Sequence, residues 1–172
     1  MISNEEITLR LFEKKDISKK IEWINDVSNN AFLHYDLPLN YDKTLEWFES
    51  KNNDNRLDLV IEYQNTPVGL IGLLNIDRKN RKAEFYITIG EVSHKSKGIG
   101  TKATLLLLQI AFEKLNLKKV YLNVDSENIP AIKLYEKVGF VCEGVFIDEM
   151  FHNGRFINRK RYAIFKLDEE EK

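Results

Sequence analysis

Apolar and polar positions along this chain change period several times, and each change marks an element. Ile7 to Phe12 alternates as ITLRLF, the period of two that a half-buried strand requires. In KKDISKKIEWIND the spacing lengthens: Ile17, Ile21 and Ile24 recur at helical intervals, and Asp16 stands where an N-cap belongs. From Ser28 to Lys43, SNNAFLHYDLPLNYDK keeps no period and mixes turn residues with aromatics, so it reads as an irregular functional loop. TLEWFESKNN resumes helical spacing as a second short helix.

Three antiparallel strands follow. LDLVIEY and PVGLIGLLNID are joined by QNT in hairpin fashion, and KNRK leads into AEFYITIGE. From Gly98 the period is helical again, with Ile99, Ala103, Leu106, Leu107, Ile110 and Ala111 on one face and Lys102, Gln109 and Glu113 opposite. KKVYLNVD is then a strand, and ENIPAIKLYEKVGF a helix capped by Asn128, with Pro130 in its first turn and Gly139 as its stop. FVCEGVFIDEMF and RFINRKRYAIFKL flank Asn153-Gly154, a dipeptide suited to the positive backbone angles of a tight hairpin turn. Residues 1–167 thus read as one domain and 168–172 as an acidic, solvated tail. The order predicts an α/β protein, a mixed sheet with helices on its faces and a right-handed crossover at its centre.

Composition narrows the function classes. A chain of 172 residues, 43% apolar and 31% charged, suits a single core. Its formal net charge of -1 removes the electrostatic ground for a nucleic-acid partner. Cys142 stands alone, which excludes an intramolecular disulfide or a cysteine zinc site and leaves it the reading of a small buried residue. Three scattered histidines without paired acidic ligands predict no metal. Neither MISNEEITLRLFEKKD nor any later stretch has the apolar run of a signal peptide or membrane span, so a cytoplasmic protein with no membrane partner is expected.

The chemistry begins at SHKSKGIGTKA. Gly98-x-Gly100-x-x-Ala103 satisfies the dinucleotide fingerprint, and Asp125 ends the next strand, where a ribose-binding acid would stand. That fingerprint follows its strand directly, however, whereas here Val92 to Lys97 intervene and three antiparallel strands precede. A Walker loop is absent. What remains is a basic loop whose N–H groups converge at a helix N-terminus, a pyrophosphate site that Gly98 and Gly100 open to close approach. Its lysines read equally as a solvated turn.

Lys95-Ser96-Lys97-Gly98-Ile99-Gly100 resembles the signature of the GNAT superfamily of acetyl-CoA-dependent N-acetyltransferases: Arg or Gln, two residues, Gly, one residue, Gly or Ala. Lys95 replaces the usual first residue. ENIPAIKLYEKVGF resembles the family's second segment, Asn-x-x-Ala-x-x-Leu-Tyr-x-x-x-Gly-Phe. The resemblance covers nearly the whole chain. From Ala83 to Arg161 it is closest to spermidine and ribosomal-protein alanine N-acetyltransferases, and EGVFIDEMFHNGR is similar to the former.

The resemblance implies a mixed, mostly antiparallel sheet of about six or seven strands with about four helices. It implies acetyl-CoA as co-substrate, held by Lys95, Ser96, Lys97, Gly98, Ile99, Gly100 and Thr101, by Asn128, and by Thr88, Ile89 and Gly90 where their strand splays from its neighbour. Acetyl then passes to a primary amine by direct attack, without a metal or a covalent enzyme intermediate. An alkylammonium, with a pKa near ~10, must first lose a proton, and the departing sulfur must gain one. Tyr135 matches the family's proton donor, although its helical stripe with Ala131, Leu134 and Val138 also suits a core residue. Glu84 matches a position for the base, with a salt bridge to Arg81 or Lys82 as its ordinary alternative.

His34, Tyr35, Asp36, Glu149 and Phe151 are expected around the acceptor, since acids and aromatics suit a cationic amine. A polyamine is the first acceptor expected, a protein N-terminus or an amino sugar the alternatives, and a non-catalytic CoA-binding regulator the rival. A homodimer is the family expectation.

Overall fold

The computed structural model describes residues 2–3, 6–51 and 53–167; the acidic tail at 168–172 lies outside them. Its strands are β1 (Ile2–Ser3), β2 (Ile7–Leu11), β3 (Leu57–Tyr63), β4 (Thr66–Asp77), β5 (Lys82–Ile89), β6 (Lys119–Asp125), β7 (Val141–His152) and β8 (Arg155–Phe165). Its α-helices are α1 (Ile17–Asn25), α2 (Tyr41–Ser50), α3 (Ile99–Gln109) and α4 (Ile129–Val138). All the strands form one sheet in the order β1-β2-β3-β4-β5-β6-β8-β7. Seven of them have five or more residues, in line with the expected architecture.

Alternation along the strands gives the sheet two buried faces. Leu59, Ile61, Ile71 and Phe85 pack with Ile99, Ala103 and Leu107 of α3 and Ile132 and Tyr135 of α4. Val60 and Leu70 point the other way and pack with Phe12, Ile17 and Trp23 and with Trp47, Phe48 and Tyr86. Turns follow their residues: Gln64-Asn65 and Asn153-Gly154 all have positive φ, the twist that two-residue hairpins need.

Three local readings need correction. Asp16 precedes α1, but its carboxylate caps nothing there; it accepts from Glu13 N–H at 2.9 Å and pairs with Arg10. The second helix starts earlier than TLEWFESKNN, because Asn40 caps it by accepting from Lys43 N–H. Cys142 is exposed, since β7 is an edge strand with little packed over it.

One pairing creates the site. β5 and β6 are the sheet's parallel pair, and they register only at Lys82/Lys119, Ala83/Val120 and Glu84/Tyr121. Beyond Glu84 the two strands diverge, so Phe85 to Ile89 have β4 on one side and no strand on the other.

Candidate active site

A cavity of about 880 Å³ fills that divergence and runs through the sheet from α3 and α4 to α1 and α2. It joins elements distant in sequence: the loop at Lys95, Ser96 and Gly98, the start of α3 at Ile99, Gly100 and Thr101, the edge of β5 at Thr88 and Ile89, and Asn128 and Tyr135 around α4. The irregular segment contributes His34 and Tyr35.

On the α3 side, Ser96 and Gly98 both take positive φ, 63° and 76°, and Gly98 is the N-cap of α3. The left-handed turns expose successive N–H groups at the positive end of a helix, which suits a diphosphate. A side chain added at Gly98 would meet nothing within 4 Å. Gly100 is small for another reason: a Cβ there would lie 2.7 Å from Leu134 Cδ1, so its absence lets α3 approach α4. Lys95 donates to the Ser28 carbonyl at 3.1 Å, tying the loop to the irregular segment. Asn128 accepts from Ala131 N–H at 3.3 Å, as its capping position requires.

Tyr135 is 7% exposed, with its ring edge-on to Phe85 at 6.0 Å and tilted on Phe140 at 5.8 Å. Burial pushes its phenol up to about 12, so it stays protonated at neutral pH. Among the described residues, its hydroxyl has no hydrogen-bond partner. The ring is therefore a core residue, and its protonated hydroxyl is left without a partner at the cavity.

The opposite side holds groups that sequence spacing missed. Continuing the β5–β6 register past its last pair sets Asp125 across the gap from Thr88. Both carboxylate oxygens of Asp125 lie 3.0 Å from His34 Nε2, and Arg159 Nε stands 3.2 Å away as an ion partner. His34 packs edge-on to His152, and its Nδ1 is buried without a hydrogen-bond partner. Further in, Tyr86 reaches across β4 to donate to Asp58 Oδ1 at 2.8 Å. Gly72 permits this, because a Cβ there would come within 2.6 Å of the Tyr86 ring. Arg56 and Lys51 also donate to Asp58. Burial opposes the ionised carboxylate, but the Arg56 and Tyr86 hydrogen bonds outweigh it and hold Asp58 below the usual carboxylate range. Lys20 lies over the Trp47 ring at 3.4 Å, and burial brings its ammonium down to about 8. A glycine inside β4 was the sequence signal for this cluster, since it marks a close approach.

Several expected residues are not brought to the cavity. Glu84 lies at the closed end of the splay, where its carboxylate accepts from the Asn75 and Asn123 amides. Gly90 packs against Trp23, and its backbone is already paired, N–H to Val68 and C=O from Asn29. Lys97 and Asp36 face solvent. Glu149 sits in the bulge between Phe146 and Met150, outside the pairing with β8, and Phe151 is 64% exposed on the hairpin against Phe156.

The profile described as Acetyltransferase (GNAT) domain matches residues 6–141. Spermidine N(1)-acetyltransferase of Vibrio cholerae serotype O1 is 35% identical over 166 residues, which cover 95% of this chain and 95% of that protein. The putative ribosomal N-acetyltransferase YdaF of Bacillus subtilis is 31% identical over 175 residues, 97% of this chain and 95% of that protein. The crystal structure of the Vibrio cholerae spermidine N-acetyltransferase with CoA and spermine superposes with a TM-score of 0.86 at 32% identity, covering 94% and 96% of the two chains. A dodecameric structure of the same enzyme gives a TM-score of 0.81 at 31% identity, covering 94% and 95%.

Proposed function

The chain belongs to the GNAT acetyltransferase family, and on that premise we propose that it transfers acetyl from acetyl-CoA to a primary amine in the cavity between β5 and β6. A polyamine is the acceptor that its relatives' activities support. The residues fit the co-substrate: left-handed Ser96 and Gly98 and the first N–H groups of α3 suit its diphosphate, while the unpaired edge of β5 at Thr88 and Ile89, with Asn128 nearby, suits its pantetheine arm. Bound there, the thioester supplies the acyl group and a thiolate to be released.

The chain supplies two proton transfers. His34 lines the cavity with its Nε2 held by Asp125, and the pair takes the amine's proton. This gives His34 the role expected of Glu84. As the new C–N bond forms and the C–S bond breaks, Tyr135 gives its hydroxyl proton to the sulfur, and solvent restores both side chains.

The single observation carrying this reading is the free, protonated hydroxyl of Tyr135 on a ring otherwise locked in the core. A non-catalytic CoA binder has no use for it. Tyr135→Phe keeps the ring packing and should lower kcat by about 10²–10⁴-fold while acetyl-CoA affinity is retained. Wild-type single-turnover rates in this variant would return Tyr135 to a purely structural role.

A second acceptor reading, an amine of a protein N-terminus or an amino sugar, is favoured by charge: Lys20 and Arg56 line the acceptor end, and Asp36, Glu84 and Glu149 do not. Association of copies belongs to the same proposal, supported by the open edge of β7 with Val145 and Ile147 exposed. A monomer by light scattering would remove that part. No helix among the described residues is long and apolar enough to cross a membrane; a cytoplasmic site belongs to the same proposal.

A further inference from the structure

We infer that the side-chain carbonyl of Asn29 is a binding group for the pantetheine arm of acetyl-CoA, accepting a hydrogen bond from an amide N–H or the hydroxyl of that arm. The inference rests on the acetyltransferase reading and adds to it a co-substrate contact from the irregular segment that also carries His34.

Asn29 is held in one orientation. Its Nδ2 donates to the Gly90 carbonyl at 2.8 Å and to the Trp23 carbonyl, near the end of α1, at 3.1 Å. A flipped amide would set Oδ1 against those carbonyl oxygens, so the network itself assigns the nitrogen and the oxygen. With its N–H groups committed, the side chain has only Oδ1 left to offer. That oxygen is buried and, among the described residues, has no hydrogen-bond partner. A buried acceptor in this state is costly until a donor reaches it.

The place of Asn29 on the cavity wall identifies the donor. Through the Gly90 carbonyl it is fastened just past the end of β5, whose open edge at Thr88 and Ile89 suits the pantetheine arm. The preceding residue, Ser28, accepts from Lys95 of the diphosphate loop at 3.1 Å. Asn29 therefore stands between the edge that suits the arm and the loop that suits the diphosphate, and an arm joining the two passes it. The diphosphate offers only acceptors at neutral pH, whereas the arm carries amide N–H groups and a hydroxyl. The arm is thus the part of the co-substrate that can satisfy Oδ1. Because the same segment presents His34 to the cavity, a co-substrate seated on Asn29 also steadies the wall that receives the amine.

Calorimetry with CoA and with 3′-phospho-ADP, its nucleotide without the arm, tests this. Asn29→Leu should weaken CoA binding about tenfold, the order of one hydrogen bond, and leave 3′-phospho-ADP binding unchanged. The difference between the two ligands isolates the arm, since a displaced loop would weaken both. Asn29→Ser makes the same comparison if the leucine variant does not fold, because its shorter side chain keeps a donor for the loop and withdraws the carbonyl. Equal losses for the two ligands, or no loss for either, would make Asn29 a support for the loop alone. A raised KM for the amine with CoA affinity unchanged would give Oδ1 to the amine instead. Each of these results would overturn the inference while acetyl transfer stands. An unaltered protein that binds neither CoA nor acetyl-CoA would overturn both.

Discussion

Asp125 shows how one residue changes meaning with its neighbours. At the end of its strand it fits a ribose-binding acid; in the fold it is 4% exposed and holds His34 by both oxygens. If that pair acts as one base, His34→Gln and Asp125→Asn should each lower kcat, by about 10²-fold or more for His34. The double variant should lose little beyond His34→Gln alone. Additive losses, or losses matched by equal weakening of acetyl-CoA binding, would mean that the pair only supports the loop. Lys20 was not legible from its own segment. KKIEWIND puts lysines on what looks like a solvated face, and only Trp47, far along the chain, turns Lys20 into a buried cation. For Glu84 the strand alternation was legible, but not that Asn75 and Asn123 would donate to its oxygens at the closed end of the splay.

At the scale of elements, strands and turns were legible because each carries its own period and its own punctuation. LDLVIEY is β3 to the residue, and Asn128, Pro130 and Gly139 bound α4 as expected. What the sequence lacked was the contact between elements. Gly100 looked like a phosphate glycine; it is also the point where α3 meets Leu134 of α4, one residue from Tyr135. Gly100→Val should therefore displace the Leu134 side chain and overpack the α3/α4 contact, destabilising the fold by about 1–3 kcal/mol and lowering kcat as well as acetyl-CoA affinity. A variant with unchanged Tm and only weaker acetyl-CoA binding would restore the phosphate explanation.

For the whole molecule, the consequence of three short pairings between β5 and β6 is a passage through the sheet with different chemistry at its two ends. The α3/α4 end offers backbone donors and the Tyr135 hydroxyl; the α1/α2 end offers His34, aromatics and cations. A donor and an acceptor entering from opposite faces would meet only at the divergence, which makes direct transfer the natural reaction of this architecture. Both glycine-loop and Asn-x-x-Ala motifs were readable, but the passage that unites them is a property of the sheet. The most direct measurement is product analysis after incubating the protein with acetyl-CoA and a set of primary amines that includes spermidine and spermine. The account predicts CoA and an N-acetylated amine in equal amounts; tight acetyl-CoA binding with no CoA released by any amine would contradict it.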